Sequence, residues 1–428
     1  MKILLLGSGG REHAIAWHLK KDPRVTALFI APGNPGTAEL GTNLPIAAAD
    51  LPALLAWARK EKPDLTFVGP EAPLCLGLAD LFEENGLPVF GPNRNAARLE
   101  GSKVLTKQIF QKHGIPTAPG ACFTSALDAY RYSQGQPYPQ VIKADGLAAG
   151  KGVIIARNPE EATKAIYNIM ERRVFGEAGA AIVIEECLTG PEVSFLAITD
   201  GQNLQLLPLA QDHKRIGDND TGANTGGMGA YAPARFLSDA VRQEIVDRVL
   251  KPLLAALRAE GIDYQGILYA GLMLAPQGPQ MLEINVRLGD PETQVVLPLL
   301  ETSLIDIAQA VRARKLGTLQ LRFNDLSAVG IVLAAPGYPE APRLGGAIEG
   351  LTPSNLPAAN RIVFHAGTQL ENGTLVTSGG RVATVTAWDR DFAAARQSAY
   401  QAVRTVNFEG MQFRTDIGAG AGTAPAQA

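Results

Sequence analysis

The chain is poor in cysteine, with Cys75, Cys122 and Cys187 the only three in 428 residues. Their spacing matches neither a zinc site nor a disulfide framework, so a reducing, cytoplasmic location is the simple expectation. Long apolar runs are missing. The opening MKILLLGSGG breaks into glycines before it reaches the length of a secretory core, and no other stretch is long enough to cross a bilayer. A membrane partner is therefore not expected. There is no excess of one charge either: 39 Lys and Arg against 42 Asp and Glu leave a net charge of −3, and no broad basic field calls for nucleic acid. His13, His18, His113, His213 and His365 show no HExxH spacing, and no GxSxG occurs, which removes two common hydrolase readings.

What is present is ample core material: 46% of residues are hydrophobic and 19% charged. The length suggests about two to four domains. In the first hundred residues, strands KILLLG, ALFIAP, LTFVGP and PVFG alternate with helices EHAIAWHLKK, PALLAWARKEK and GLADLFEENG. That order predicts βαβ units and a parallel sheet, with ligands at the carboxyl ends of the strands. Those ends carry GSGGREH, APGNPGT and GPEAPL. The helix SKVLTKQIFQKHG follows, with Lys103 and Lys107 on one side. The expected division is an α/β domain over 1–101, a central domain over 102–326 with a subdomain near 121–188, a small α/β domain over 327–416, and a disordered tail, 417–428.

Several motifs carry candidate chemistry. In KADGLAAGKG, residues 143–152, Lys143 ends a strand, and a glycine-rich turn with Gly150, Lys151 and Gly152 leads into another. Small residues let backbone N–H groups approach an anion. The pattern reads equally as a phosphate cradle or as a hairpin with solvated lysines. In AIVIEECLTGPEVSF, the backbone of Glu185, Glu186, Cys187 and Leu188 could hold an adenine edge and Glu192 a ribose, although alone the segment reads better as an edge strand with exposed acids.

LEINVRLGDPETQ, residues 282–294, is more telling. Leu282, Ile284 and Val286 alternate with Glu283, Asn285 and Arg287, the period of a strand with one aliphatic face. Asn is depleted in strands. Glu283 and Asn285 offer hard oxygens suited to magnesium bridging phosphates, and Arg287 suits a phosphoryl oxygen or a developing oxyanion. The loop QDHKRIGDNDTGANTGGMGAY, 211–231, is too polar and glycine-rich for a core element and is read as a binding loop. GSGGREH has Glu12 where a dinucleotide fingerprint needs glycine, so a single phosphate or phosphosugar at the helix start is preferred over NAD.

Taken in order, a parallel α/β domain, a lysine helix, a Lys–glycine hairpin, an acid-ended strand and a Glu-x-Asn-x-Arg strand resemble the ATP-grasp superfamily. Within it, GSGGREHA, VGPEAPL, LEGSK, KADGLAAGKGV, the DHKR and NTGGMGAY loop and NVRLGDPETQ are similar to the phosphoribosylamine–glycine ligase family over nearly the whole chain except the tail. The resemblance implies an ATP-grasp fold with an N-terminal parallel α/β domain, a lid subdomain and a small C-terminal α/β domain. It implies de novo purine chemistry: ATP converts glycine to glycyl phosphate, and the amine of 5-phosphoribosylamine attacks to give glycinamide ribonucleotide, ADP and phosphate. By the same resemblance Lys103 and Lys143 bind ATP phosphates under the 146–152 lid, and Glu185 to Leu188 and Glu192 hold adenosine. Glu283 and Asn285 hold Mg²⁺ or Mn²⁺, and Arg287 acts with Lys143 on the transferring group.

The substrates are assigned to Gly9, Gly10, Glu71, Asp212, Lys214, Arg215, Asn224, Gly226, Arg287 and Asp290, with Asp212 a candidate for glycine's ammonium. The strand LYAGLMLAP lacks the acidic ligand that many superfamily members place there, which puts a second metal in doubt. The expected assembly is a monomer or weak oligomer, and residues 146–152 and 211–230 are expected to be mobile before ligand binds. The competing readings are another ATP-grasp ligase, an NAD-dependent oxidoreductase and a nucleotide sensor without catalysis.

Overall fold

Short runs of Leu, Ile, Val and Phe place four parallel strands side by side, and polar Thr42–Asn43 adds an edge, in the order Thr42–Asn43, Ala27–Pro32, Lys2–Gly7, Leu65–Val68 and Val89–Phe90. Ile3 to Leu6 are fully buried because helices cover both faces of the sheet. The strand order reverses at Lys2–Gly7, so a crevice opens beyond Gly7 and Val68, where ligands of such sheets bind. The computed structural model of the chain describes residues 1–148, 152–351 and 359–421.

Two antiparallel sheets follow. One has the order Gly120–Phe123, Ile182–Glu186, Gln140–Ala144 and Val153–Ala156, backed by helices Ala126–Gln134 and Pro159–Ile166. The other runs Leu204–Leu206, Glu192–Thr199, Gly266–Ala275 and Gly278–Asn285. They meet at residues 281–282: Met281 N donates to Pro116 O at 2.7 Å, and Lys143 Nζ donates to Leu282 O at 3.1 Å. A long helix runs from Asp239 to Ala259, with a π-helical turn at Val246–Leu250 just ahead of Pro252. A proline interrupts the hydrogen-bond ladder there, and the wider turn absorbs the interruption.

A fifth element of architecture crosses the division expected at 326/327. Strands Gln211–Asp212 and Gly229–Ala232, from the polar loop, pair into one sheet with Ser327–Ala334, Arg381–Asp389 and Arg361–His365. The loop is therefore tied to the last part of the chain by backbone hydrogen bonds. Its tip forms a hairpin, Arg215–Gly217 with Thr221–Asn224. Residue 417, where a disordered tail was expected to begin, is part of the core. Ile417 is fully buried in the core, and Arg396 Nε donates to its carbonyl at 2.8 Å. Residues 422–428 lie outside the described residues.

Candidate active site

The strand Gly278–Asn285 is not the simple alternation its sequence suggests. Gly271 pairs with Glu283 but Leu272 pairs with Met281, so Leu282 is an extra, bulged residue. Met281, Ile284 and Val286 are 1%, 2% and 1% exposed, whereas Leu282 is only half-buried. The bulge returns the aliphatic side chains to the core and turns Glu283 and Asn285 together into the cleft. Asn285 Nδ2 lies 3.5 Å from Glu283 Oε1. Arg287 follows just beyond the strand end rather than inside it.

Three lysines from three elements surround this strand. Lys103 opens helix Lys103–His113; Ser102 caps that helix, and Asp145 accepts from Val104 N at 2.8 Å and from Ser102 Oγ at 2.9 Å. Asp145 thus fixes the lysine helix to the end of strand Gln140–Ala144, which carries Lys143. Burial pushes the Glu283 carboxyl up, but Lys214, Lys143 and Lys103, with the Asn285 amide, outweigh it and hold it below its ordinary value. Burial lowers the Lys103 ammonium, with Glu283 opposing. Burial also works against the Lys214 ammonium, yet Glu192, Tyr269 and Glu283 hold it above the ordinary lysine value.

Glu185 is not the exposed acid of an edge strand that the segment alone suggests. Its buried carboxylate pairs with Lys143 and, at 2.8 Å, with Lys107. Two buried ammonium groups need a counter-ion, so the Glu185 side chain is committed inside the protein and only its backbone remains for a nucleotide. Glu186 is exposed, Cys187 and Leu188 are half-buried, and Glu192 pairs with Lys214 at 2.7 Å. Gly152 O accepts from Ala144 N at 2.8 Å. Gly150 and Lys151 lie outside the described residues.

Arg287 is gripped from the first domain side. Its Nη2 forms an ion pair with Glu100 Oε1 at 2.9 Å and donates to Asn285 Oδ1 at 3.2 Å, and Nε lies 3.4 Å from Glu71 Oε2 without a hydrogen bond. Glu100 also accepts from Val286 N at 2.7 Å. Burial pushes the Glu100 carboxyl up, with Arg287 opposing; burial does the same at Glu71, where Arg287 and Arg11 win and hold it down.

The glycine turn at the first strand needs correction. Gly9 N donates to Glu12 Oε2 at 2.6 Å, and Arg11 Nε donates to Glu12 Oε1 at 2.6 Å. A buried internal carboxylate therefore sits where a phosphate was expected at Gly9, satisfying the helix start itself. Gly10 packs under Gln294 and Thr384. Asp290 receives Gln294 Nε2 at 2.7 Å and pairs with Arg381 Nη2 at 3.2 Å. Burial opposes its ionisation, but Arg381 and Arg11 hold its carboxyl below the usual range. Arg381 also donates to Gly226 O and to Asp290 O, the latter at 2.7 Å, so Gly226, Asp290 and the glycine turn converge. Arg215 and Asn224 do not join them: Arg215 donates to Gly222 O at 3.0 Å within its own hairpin, and Asn224 is exposed.

Sequence reasoning missed Glu12, Arg11, Glu100, Lys107 and Arg381 as site residues. Glu12 and Arg11 stood inside the GSGGREH motif and could have been found as a capping pair. Arg381 offered no signal, because its partner Asp290 is 91 positions away.

Comparison with known proteins names this arrangement. Residues 1–100 match the N domain, 101–293 the ATP-grasp (A) domain and 328–420 the C domain of phosphoribosylglycinamide synthetase. The chain belongs to the phosphoribosylglycinamide synthetase family. It is 46% identical to a phosphoribosylamine–glycine ligase of Vibrio vulnificus over 421 residues, 98% of each chain. The crystal structure of a phosphoribosylamine–glycine ligase from Thermotoga maritima superposes with a TM-score of 0.83 at 35% identity, covering 97% of this chain and all of that one. The biotin carboxylase domain of the Hydrogenobacter thermophilus 2-oxoglutarate carboxylase shares the fold alone, with a TM-score of 0.74 at 19% identity over 96% of this chain and 91% of that one. The match to the ATP-grasp domain spans both antiparallel sheets, and the match to the N domain spans the parallel sheet. Among the described residues no helix is long and apolar enough to cross a membrane.

Proposed function

We propose that this chain ligates glycine to 5-phosphoribosylamine at the expense of ATP, through glycyl phosphate, giving glycinamide ribonucleotide, ADP and phosphate in purine biosynthesis. The observation that carries the residue assignment is the convergence of Lys103, Lys143 and Lys214 on one carboxylate, Glu283. Lys143 and Lys107 share Glu185, and Lys214 pairs with Glu192, so Lys103 and Glu283 complete a group of four ammonium groups against three carboxylates, and a polyphosphate neutralises the surplus. Lys103 and Lys143 take ATP phosphates. The backbone from Glu185 to Leu188 holds adenine, and Glu192 exchanges Lys214 for ribose hydroxyls.

Glu283 and Asn285 fit a magnesium or manganese ion. The lysines keep the Glu283 carboxylate ionised, and the Asn285 oxygen, which accepts from Arg287, would join it as a ligand once the amide turns over. Among the described residues no third acid joins them, so a bound ion takes its remaining ligands from phosphate and water. When bound, the ion supplies neutralisation of the transferring phosphate's charge. Arg287 is held by Glu100 and Glu71 in one orientation, so it stabilises negative charge developing at the glycyl carboxyl or the phosphoryl group without reorganising. The phosphoribosylamine side is assigned to the convergence of Glu71, Gly226, Asp290 and the start of the first helix. There Glu12 occupies the turn, so the sugar phosphate must draw on neighbouring cations rather than on Gly9 N–H. The enzyme acts in the cytoplasm as a monomer or weak oligomer.

The test is product analysis with ATP, glycine and freshly generated phosphoribosylamine. Phosphate is expected only when both acceptors are present. Release with bicarbonate instead of glycine would move the chain to the carboxylase class.

A further inference from the structure

Lys107 is a buried lysine whose every donor is satisfied inside the protein. It is 3% exposed and lies one turn after Lys103 on helix Lys103–His113. Its Nζ donates to Glu185 Oε2 at 2.8 Å, to Thr117 Oγ1 at 3.2 Å and to the Ala118 carbonyl. An ammonium group has three N–H donors, so none is left for a substrate. Lys143 shares the same acid through its other oxygen. Its Nζ pairs with Glu185 Oε1 and donates to Leu282 O at 3.1 Å, which uses two of its three donors and leaves one for a ligand. Glu185 is itself buried, on a strand paired on both sides, so its charge is divided between these two lysines.

The group is also fastened to the bulge that turns Glu283 into the cleft. Thr117 Oγ1, which Lys107 holds, donates to Met281 O at 2.9 Å, and Lys143 holds the next carbonyl, that of Leu282. Burial pulls the Lys107 ammonium below its ordinary value, and Glu185 opposes the fall. Buried ion pairs are often no better for stability than apolar side chains of the same size, so a second buried lysine on one acid calls for a reason beyond stability. Charge supplies one. Lys107, Glu185 and Lys143 carry two positive charges against one negative. Without Lys107 the row becomes a neutral pair, with the whole carboxylate turned on Lys143 and a phosphate oxygen left to compete with it.

We propose that Lys107 is a positioning residue for the ATP step: by taking half of the Glu185 carboxylate it keeps the Lys143 ammonium short of a full counter-charge, and so available to a phosphate oxygen of the nucleotide. This rests on the reading that Lys143 takes an ATP phosphate.

The experiment uses the full chain and a non-hydrolysable ATP analogue with magnesium, with binding followed by calorimetry. In Lys107→Met the analogue is expected to bind about tenfold more weakly, as for loss of a charge-assisted hydrogen bond. Adenosine, which has no phosphate, should bind as in wild type, and the KM for glycine should not change. Neutralising the acid as well should reverse the loss. Lys107→Met/Glu185→Gln frees Lys143 from its competing carboxylate and should bind the analogue more tightly than Lys107→Met alone. A merely structural lysine predicts the opposite, a double variant weaker than either single one, and that result overturns the proposal. So does an unchanged analogue affinity in folded Lys107→Met, or an equal loss for adenosine, which would assign Lys107 to the adenine-binding backbone. Where Lys107→Met does not fold, Glu185→Gln is compared with the double variant. With the acid neutral, removing Lys107 should change analogue affinity by no more than about twofold, the usual limit of additivity; a larger loss overturns the proposal. If Lys143→Met binds the analogue as wild type does, the phosphate assignment of Lys143 fails and this proposal falls with it.

Discussion

Glu283 sits beneath three lysines with an amide at its side, and its charge is what the site is built to hold. Glu283→Gln keeps the shape and removes the charge. It is expected to lower kcat/KM on the order of 10²-fold or more while leaving the circular dichroism spectrum unchanged; full activity in that variant would exclude the metal-ligand role. Arg287 behaves differently, because its partners are also buried. Arg287→Ala leaves the Glu100 carboxylate without its cation, so about 3–5 kcal/mol of stability should be lost along with activity, read as a lower urea midpoint. Loss of activity without a shift in that midpoint would mean that Glu100 finds another partner. At this scale the sequence was informative about chemical type. An acid, an amide and a guanidinium at alternate strand positions are unusual enough to stand out. It was silent on Glu100 and Arg381, whose partners lie 186 and 91 positions away.

Elements were legible where periodicity is strong, and they departed from expectation where a tertiary contact intervened. The parallel strands of the first hundred residues follow from their apolar runs. The bulge at Leu282 does not, because a bulge exists only relative to a partner strand. The 211–231 segment reads as a binding loop from its glycines and charges. Its ends are strands, and its tip is pinned by Arg414, a guanidinium 1% exposed that donates to Asp220 Oδ1 at 2.6 Å and Asp416 Oδ2 at 2.6 Å. Asp218 adds a bond from Thr415 N at 2.8 Å. Arg414→Ala is expected to speed amide exchange across residues 215–224 while strand Ser327–Ala334 stays protected. Unchanged exchange in the hairpin would show that the sheet alone holds it.

Across the whole molecule, the first helix and the last sheet share a seam of buried, neutral histidines. His365 N donates to His13 Nδ1 at 2.9 Å, which requires an unprotonated acceptor. Burial lowers His13 to about 3, helped by His365, and lowers His365 to about 4; burial likewise brings His18 and His213 to about 4. These values lie below the ordinary 6.5 of an unfolded histidine, so the unfolded chain takes up protons first. The histidine contribution to stability is therefore complete above about pH 6.5 and is lost as the pH falls toward 4 and below. The thermal midpoint should drop over that window, and less steeply in His13→Gln; equal slopes would remove His13 as the cause. The sequence alone determined the order of strands and helices and the kinds of chemistry carried by 143–152 and 282–294, because both depend on neighbours a few residues apart. The tertiary structure decided which charges meet. It gave Glu185 to two lysines, Glu12 to the glycine turn and Arg381 to Asp290, because a buried charge is settled by whatever distant segment packs against it, and local spacing carries no record of that segment.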